Sequence, residues 1–491
     1  MIYGIKRLAG ETVIYGLSTI LGRLVNWLLM PVLYVRTNQI SENGAVSEIL
    51  AFSAILLVLF TYGLETGFFR FSKDDKQKDV FRTSVSMLAI SSSLLIILTL
   101  ILAPSLNNFL GGGKCLSSIY LVGFTIAFDA FLSIPFANLR LQNKAFLFAV
   151  IKLFNIVINI TLNLFFLLLI PHLIVKNILP DSFVNLYNSF DNVFFIFLSM
   201  LIASISQFFF FIPQFKKLSG KFDINIVKQM LKYSWPVLLV GFTGMIIQNS
   251  DKLLISKLVG NGLQDTGLYG VNFKIGVLMS LYTQSFRFAF EPFFFKKRDD
   301  GIKSYAKVME YFVFFGMIIF LGITLYFNII SLIITKQYSG GNMIIPFVLM
   351  GFLFFGIYYN LSLWYKLTDK TIWATYFGFT GMAITLLLIF ILIPKIGIIG
   401  GAIAFASGYF VMMIFSYFKG QKVYYVPYNI PKILSYIFIA LFIFFIDKFV
   451  LIDKKFISYI FKTFLFALYV VYFFRIEKIN PLKKIKLLKK V

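Results

Sequence analysis

Glu65-Thr66-Gly67-Phe68-Phe69-Arg70 closes a long apolar run, and 226 residues later Glu291-Pro292-Phe293-Phe294-Phe295-Lys296 closes another. The same offset sets Asn26 of the first apolar run against Lys252 of the seventh. Six runs separate the members of each pair. An even number means that both halves enter the membrane with the same orientation, the parallel repeat used in rocking-type transport. The sequence predicts two similar six-helix units followed by two extra helices.

Composition supports a membrane reading. The 491 residues are 59% hydrophobic, 19% aromatic and 14% charged, against roughly 25% charge in a globular protein. That is about 290 apolar residues, enough for about fourteen spans of roughly 20. A soluble enzyme, a secreted disulfide scaffold and a disordered regulator are excluded. Runs at 12–35, 46–69, 83–104, 117–138, 146–170, 193–213, 233–256, 267–291, 308–330, 344–365, 371–393, 397–418, 433–450 and 456–474 give that count. The fold class is an all-α polytopic membrane protein of about fourteen transmembrane helices. Its parts are an N-lobe (1–215), a C-lobe (216–420), two further spans (421–475) and a basic tail (476–491).

Charge orients the runs. With the N-terminus inside, 31 of the 46 Lys and Arg residues fall in cytoplasmic segments and nine on the other side. An error of one span would mix these sets, so the split supports both the number and the direction. Both termini are expected in the cytoplasm of a cell bounded by a cytoplasmic membrane. The formal charge of +25 is then topology and anionic-lipid contact, through the lysine-rich tail above all, with no nucleic-acid partner. The first run carries Arg23 and Asn26 with no small-residue cleavage site after it, which reads as a retained span. One cysteine (Cys115) and one histidine (His172) exclude an internal disulfide, Cys-rich metal sites and paired-His motifs. Gly111-Gly112-Gly113-Lys114 lacks phosphate-loop spacing and reads as a loop between spans. No cofactor is expected.

Six basic residues remain inside runs: Arg23, Lys152, Lys252, Lys274, Arg287 and Lys462. Glu65, Asp129, Asp251 and Glu291 join them. A charge at mid-bilayer costs about 2.5–3.5 kcal/mol on insertion scales, so such groups are paired or face water. Snorkelling accounts for Lys274 and Glu291 as well as a cavity does, and Lys462 divides evenly between the two. Helical spacing gathers the rest into stripes. Arg23 lies beside Asn26; Lys152 leads Asn155, Asn159 and Asn163; Gln248 precedes Asp251 and Lys252; Gln284, Arg287 and Glu291 share a face. The expectation is one water-filled cavity with basic residues at least balancing acids, suited to a phosphate-bearing anion. Arg23, Lys152, Lys252, Lys274 and Arg287 would bind it. Glu65, Asp251 and Glu291 would balance charge or exchange protons, and Asn26, Asn155, Asn159, Gln248 and Gln284 would line the walls.

The whole chain resembles the polysaccharide transporter family, the O-antigen and oligosaccharide flippases of the multidrug/oligosaccharidyl-lipid/polysaccharide (MOP) superfamily. The resemblance rests on Leu8-Ala9-Gly10-Glu11-Thr12-Val13-Ile14-Tyr15-Gly16-Leu17-Ser18-Thr19-Ile20-Leu21-Gly22-Arg23-Leu24, on Tyr62-Gly63-Leu64-Glu65-Thr66-Gly67-Phe68-Phe69-Arg70 and on Asn249-Ser250-Asp251-Lys252. It implies two lobes around a V-shaped cavity that alternate between inward-open and outward-open states. It also implies an undecaprenyl-pyrophosphate-linked oligosaccharide as cargo, a lipid-tail groove at the two extra spans, and glycan assembly proteins as further partners. Two other readings stand beside it. A cation-coupled multidrug exporter would lead with acids and usually has twelve spans. A polytopic glycan polymerase, ligase or glycosyltransferase would need a larger outside loop than 171–192 and a convergent acid pair.

Overall fold

The computed structural model describes residues 24–25, 27–72, 76–216, 218–296, 301–450 and 454–477, with backbone alone at 288–296, 301 and 455. These residues are helical, with no strand among them. Helix is what a bilayer demands, because every backbone N–H and C=O must be satisfied inside its own segment. Twelve described helices are long and apolar enough to cross a membrane, and each overlays one predicted run. The run 267–291 is the 34-residue helix Leu263–Lys296, which Asn272, Lys274, Gln284 and Arg287 make less apolar than its neighbours. Most of the first run, 12–35, lies outside the described residues.

Local chemistry sets the helix ends. A Gln39–Glu42 capping box starts Ile40–Phe71, and left-handed backbone at Tyr62 and Gly63 breaks it before Glu65. Asp223 caps Ile224–Leu258 by accepting the Asn225 N–H at 2.7 Å. Gly397, at φ +60°, divides Ile372–Ile396 from Ile398–Val423. Several helices outrun their apolar runs. Ile224–Leu258 has 35 residues, about 52 Å at 1.5 Å each, while the hydrocarbon core is about 30 Å. Hydropathy marks the stretch in lipid; the backbone stays helical beyond it.

The predicted repeat recurs in the packing. Ile40–Phe71 packs on Leu116–Leu141 as Leu263–Lys296 packs on Ile345–Leu361. Leu116–Leu141 packs on Asn192–Lys216 as Ile345–Leu361 packs on Ile398–Val423. The lobes meet where Ile40–Phe71 crosses Leu263–Lys296. A Cβ on Gly44 would sit 1.9 Å from the Leu263 carbonyl oxygen, and one on Gly267 would sit 2.0 Å from that of Ile40. Only glycine permits this approach, and each glycine meets the carbonyl four residues before the other.

The two final helices dock on Gly301–Leu325. Phe314 stacks on Tyr469 at 5.4 Å between centroids. Lys462 pairs with Asp447 at 3.4 Å and donates to the Leu325 carbonyl at 2.9 Å. Its charge is therefore paired, so snorkelling is not needed to explain it. At the other end of this docked pair, Lys307 and Lys432 interlock with Glu310 and Glu477, and Tyr436 donates to Glu477 at 3.0 Å. Burial pushes the Glu477 carboxyl up, but the hydrogen bonds from Lys307 and Lys432 outweigh it and hold the group below its ordinary 4.5.

Candidate functional site

Four N-lobe helices and one C-lobe helix enclose a cavity of about 580 Å³. Leu116–Leu141 contributes Asp129, Ser133, Phe136 and Arg140, spaced so that one helical face turns inward. The next helix, Ala145–Leu164, contributes Lys152, Asn155 and Asn159 by the same rule. Asn163, one turn further on, acts as a strut: it donates to Asn159 Oδ1 at 3.1 Å and accepts the Tyr34 hydroxyl at 2.9 Å. Glu65 comes from Ile40–Phe71, just past the Tyr62–Gly63 break, and Arg287 reaches in from Leu263–Lys296.

The charges are arranged unequally. Glu65 and Arg140 form an ion pair, with the Arg140 guanidinium also 5.0 Å from the Phe69 ring centroid. Asp129 accepts the Ser204 hydroxyl at 2.7 Å. The Lys152 ammonium lies 3.8 Å over the Phe136 ring, and no described carboxylate comes within 4 Å of it. Arg287 lies 5.1 Å from the Tyr359 ring. Three cations and two carboxylates leave the lining with one formal positive charge. All three cations lie by an aromatic ring, Lys152 the nearest to its own, and a ring attracts a cation without neutralising it.

The structure gathers five of the expected residues here: Glu65, Lys152, Asn155, Asn159 and Arg287. Lys252 and Asp251 are elsewhere. Inside the C-lobe the Lys252 ammonium contacts Asp251 Oδ1 at 2.9 Å and the Gln248 carbonyl at 2.8 Å, and lies 3.5 Å over Phe273. The Tyr269 hydroxyl takes the other Asp251 oxygen. Two hydrogen bonds and the Phe273 ring hold the Lys252 ammonium inside the C-lobe, so the structure places it in an internal pair and not in the cavity wall where it was expected. Gln248 serves that pair through its backbone. Lys274 lies half-buried near it, its carbonyl accepting the Trp27 indole N–H, and is not in the cavity wall. Gln284 stands one turn before Arg287 and is likewise outside the wall. Arg23, Asn26 and the Glu291 side chain lie outside the described residues.

Sequence reading also passes over contributors. Arg140 falls two residues beyond the run 117–138, yet its helix continues to Leu141 and carries it into the cavity. Ser204 and Gln207 gave no charge signal. Glu48, fully buried, lies within the run 46–69, a usable signal by position alone.

Two related helical lobes and a polar, cationic cavity define a multi-pass membrane protein with the MOP-superfamily fold. The profile of the polysaccharide biosynthesis protein family matches residues 36–341, and the chain belongs to that family. Among solved structures, a lipid II flippase, MurJ, in an inward closed conformation superposes with a TM-score of 0.73 at 19% identity. The match covers 94% of this chain and 99% of that one. An inward-facing MATE-family multidrug resistance transporter of the MOP superfamily gives 0.61 at 12% identity over 82% and 94%. A Vibrio cholerae MATE transporter gives 0.56 at 13% over 85% and 96%. No curated protein sequence matches the chain.

Proposed function

We propose that this protein flips an undecaprenyl-pyrophosphate-linked oligosaccharide across the bacterial cytoplasmic membrane by alternating access, with both termini in the cytoplasm. The observation that carries the reading is Lys152: an intramembrane ammonium in the wall of a cavity it shares with Arg140 and Arg287, with Asp129 nearby but no described carboxylate in ion-pair contact. A charge in that position is costly unless a ligand completes it. A pyrophosphate supplies the complement, and guanidinium groups favour it through bidentate hydrogen bonds. Asn155, Asn159 and Gln207 offer amides to sugar hydroxyls. An apolar groove of about 420 Å³ between Gly301–Leu325 and Ile430–Phe449, walled by Phe320, Phe444 and Phe445, suits a prenyl tail. Bound anion drives the cycle only if it favours one lobe arrangement over the other.

Deleting the gene should abolish surface polysaccharide and accumulate its lipid-linked repeat unit, with drug susceptibility unchanged. Normal polysaccharide together with drug hypersensitivity would instead establish the multidrug-exporter reading.

A further inference from the structure

The crossing of the lobes hides a charged cluster remote from the cavity. Glu48 lies about 20 Å of helix away from the Tyr62–Gly63 break, at 1.5 Å per residue. It is 0% exposed. Lys257 Nζ reaches one oxygen at 2.8 Å and the Ser256 hydroxyl donates to the same oxygen at 2.8 Å. The Gly111 N–H donates to the other at 3.0 Å. Gly111 and Glu48 belong to the N-lobe; Ser256 and Lys257 belong to the C-lobe. The Gly111-Gly112-Gly113 turn, all at positive φ, has a shape that points an N–H at the carboxylate. Asn43 adds a second tie across the lobes by donating to the Tyr338 hydroxyl at 2.6 Å.

We propose that Glu48 is the latch of this end of the bundle, holding the lobes together by donors from both and releasing when Ser256 and Lys257 withdraw. A buried carboxylate stripped of one partner is far less stable than the intact cluster, so the joint has no half-closed state. Separation of the lobes hydrates every member at once, which makes release reversible. Of the three donors two leave with the C-lobe and one stays, so Glu48 keeps the Gly111 turn in shape through the cycle. The latch requires only that the lobes move, and its test uses no glycan. It can fail or succeed apart from the cargo assigned above.

The chain's single cysteine supplies the readout. Cys115 is 4% exposed, with its sulfur 3.7 Å from the Gly111 carbonyl, and Leu263 of the C-lobe covers the adjoining Gly112. Burial pushes its thiol up to about 12, with the nearby Asp191, Glu48 and Glu42 adding to the shift, so it reacts slowly while the joint is closed. The full-length protein in liposomes is labelled with a maleimide near neutral pH. Lys257→Met and Glu48→Gln should each label about tenfold faster than wild type, the loss expected for a charge-assisted hydrogen bond, with Ser256→Ala between. Lys462→Met, outside the latch, should label at the wild-type rate, and Cys115→Ser should not label. Equal rates in all folded variants would overturn the latch. So would acceleration that Lys462→Met shares, or that tracks loss of folded protein in a melting curve.

Discussion

Lys152 and Lys252 pose the same problem and solve it differently. Both are ammonium groups inside the bilayer, each lying over a phenylalanine ring. Lys252 has its own carboxylate one residue away and a tyrosine to complete that carboxylate. Lys152 has a ring, a cavity and polar amides, with the nearby acids engaged by Arg140 and Ser204. An intramembrane charge is a functional signal only when the fold leaves its bonding capacity open. The C-lobe lysine is closed off in an internal pair; the N-lobe lysine faces the cavity.

Several substitutions break or sharpen that contrast. The largest effect is expected from Lys252→Ala, which leaves Asp251 charged and unpaired in a sealed interior, at about 3–5 kcal/mol. Thermal unfolding in detergent should show it, and the double variant Asp251→Asn with Lys252→Met should recover most of the loss. Removing Glu477 from its network is a smaller insult. Glu477→Gln should cost about 1–2 kcal/mol, discounted because Lys307 is half-exposed. Because the Glu477 carboxyl is held below 4.5, its contribution is complete above that pH and is lost as pH falls through the folded value. The gap in melting temperature between wild type and Glu477→Gln should therefore close on acidification; a gap that widens would contradict the assignment. Lys462→Met should cost about 1 kcal/mol, since its ion pair with Asp447 is long at 3.4 Å. The smallest change is expected from Lys152→Met, about 1 kcal/mol or less in either direction, because the attraction to the Phe136 ring is offset by the cost of burying the ammonium.

Much of the fold was legible in the sequence because the bilayer permits so few answers. Thirteen of the fourteen runs became described helices, and the repeat read from Glu65 and Glu291 reappears in how the helices pair. The least apolar of the long helices, Leu263–Lys296, lay among the predicted runs because Glu291-Pro292 marks its end as Glu65-Thr66 marks another. The site was legible in part. Lys152, Asn155 and Asn159 share a face by spacing alone, and so reach the cavity together. Lys252 misleads because a stripe gives a direction on a helix without naming what waits there. Asp251 beside it was the clue to an internal pair, but Tyr269 and Phe273, which close the pair, come from the next helix. Glu48 and Gly111 form one cluster across 63 residues, a contact that no local pattern encodes.

Lys152 is proposed to receive the anionic head of the cargo. Proteoliposomes containing the full-length protein and a fluorescent undecaprenyl-pyrophosphoryl glycan, quenched from outside by an impermeant reductant, measure flipping directly. With equal incorporation, Lys152→Met should flip at roughly one-tenth of the wild-type rate or less, the loss of a charge-assisted hydrogen bond, while Lys152→Arg retains most of it. Flipping by Lys152→Met at the wild-type rate would contradict the account.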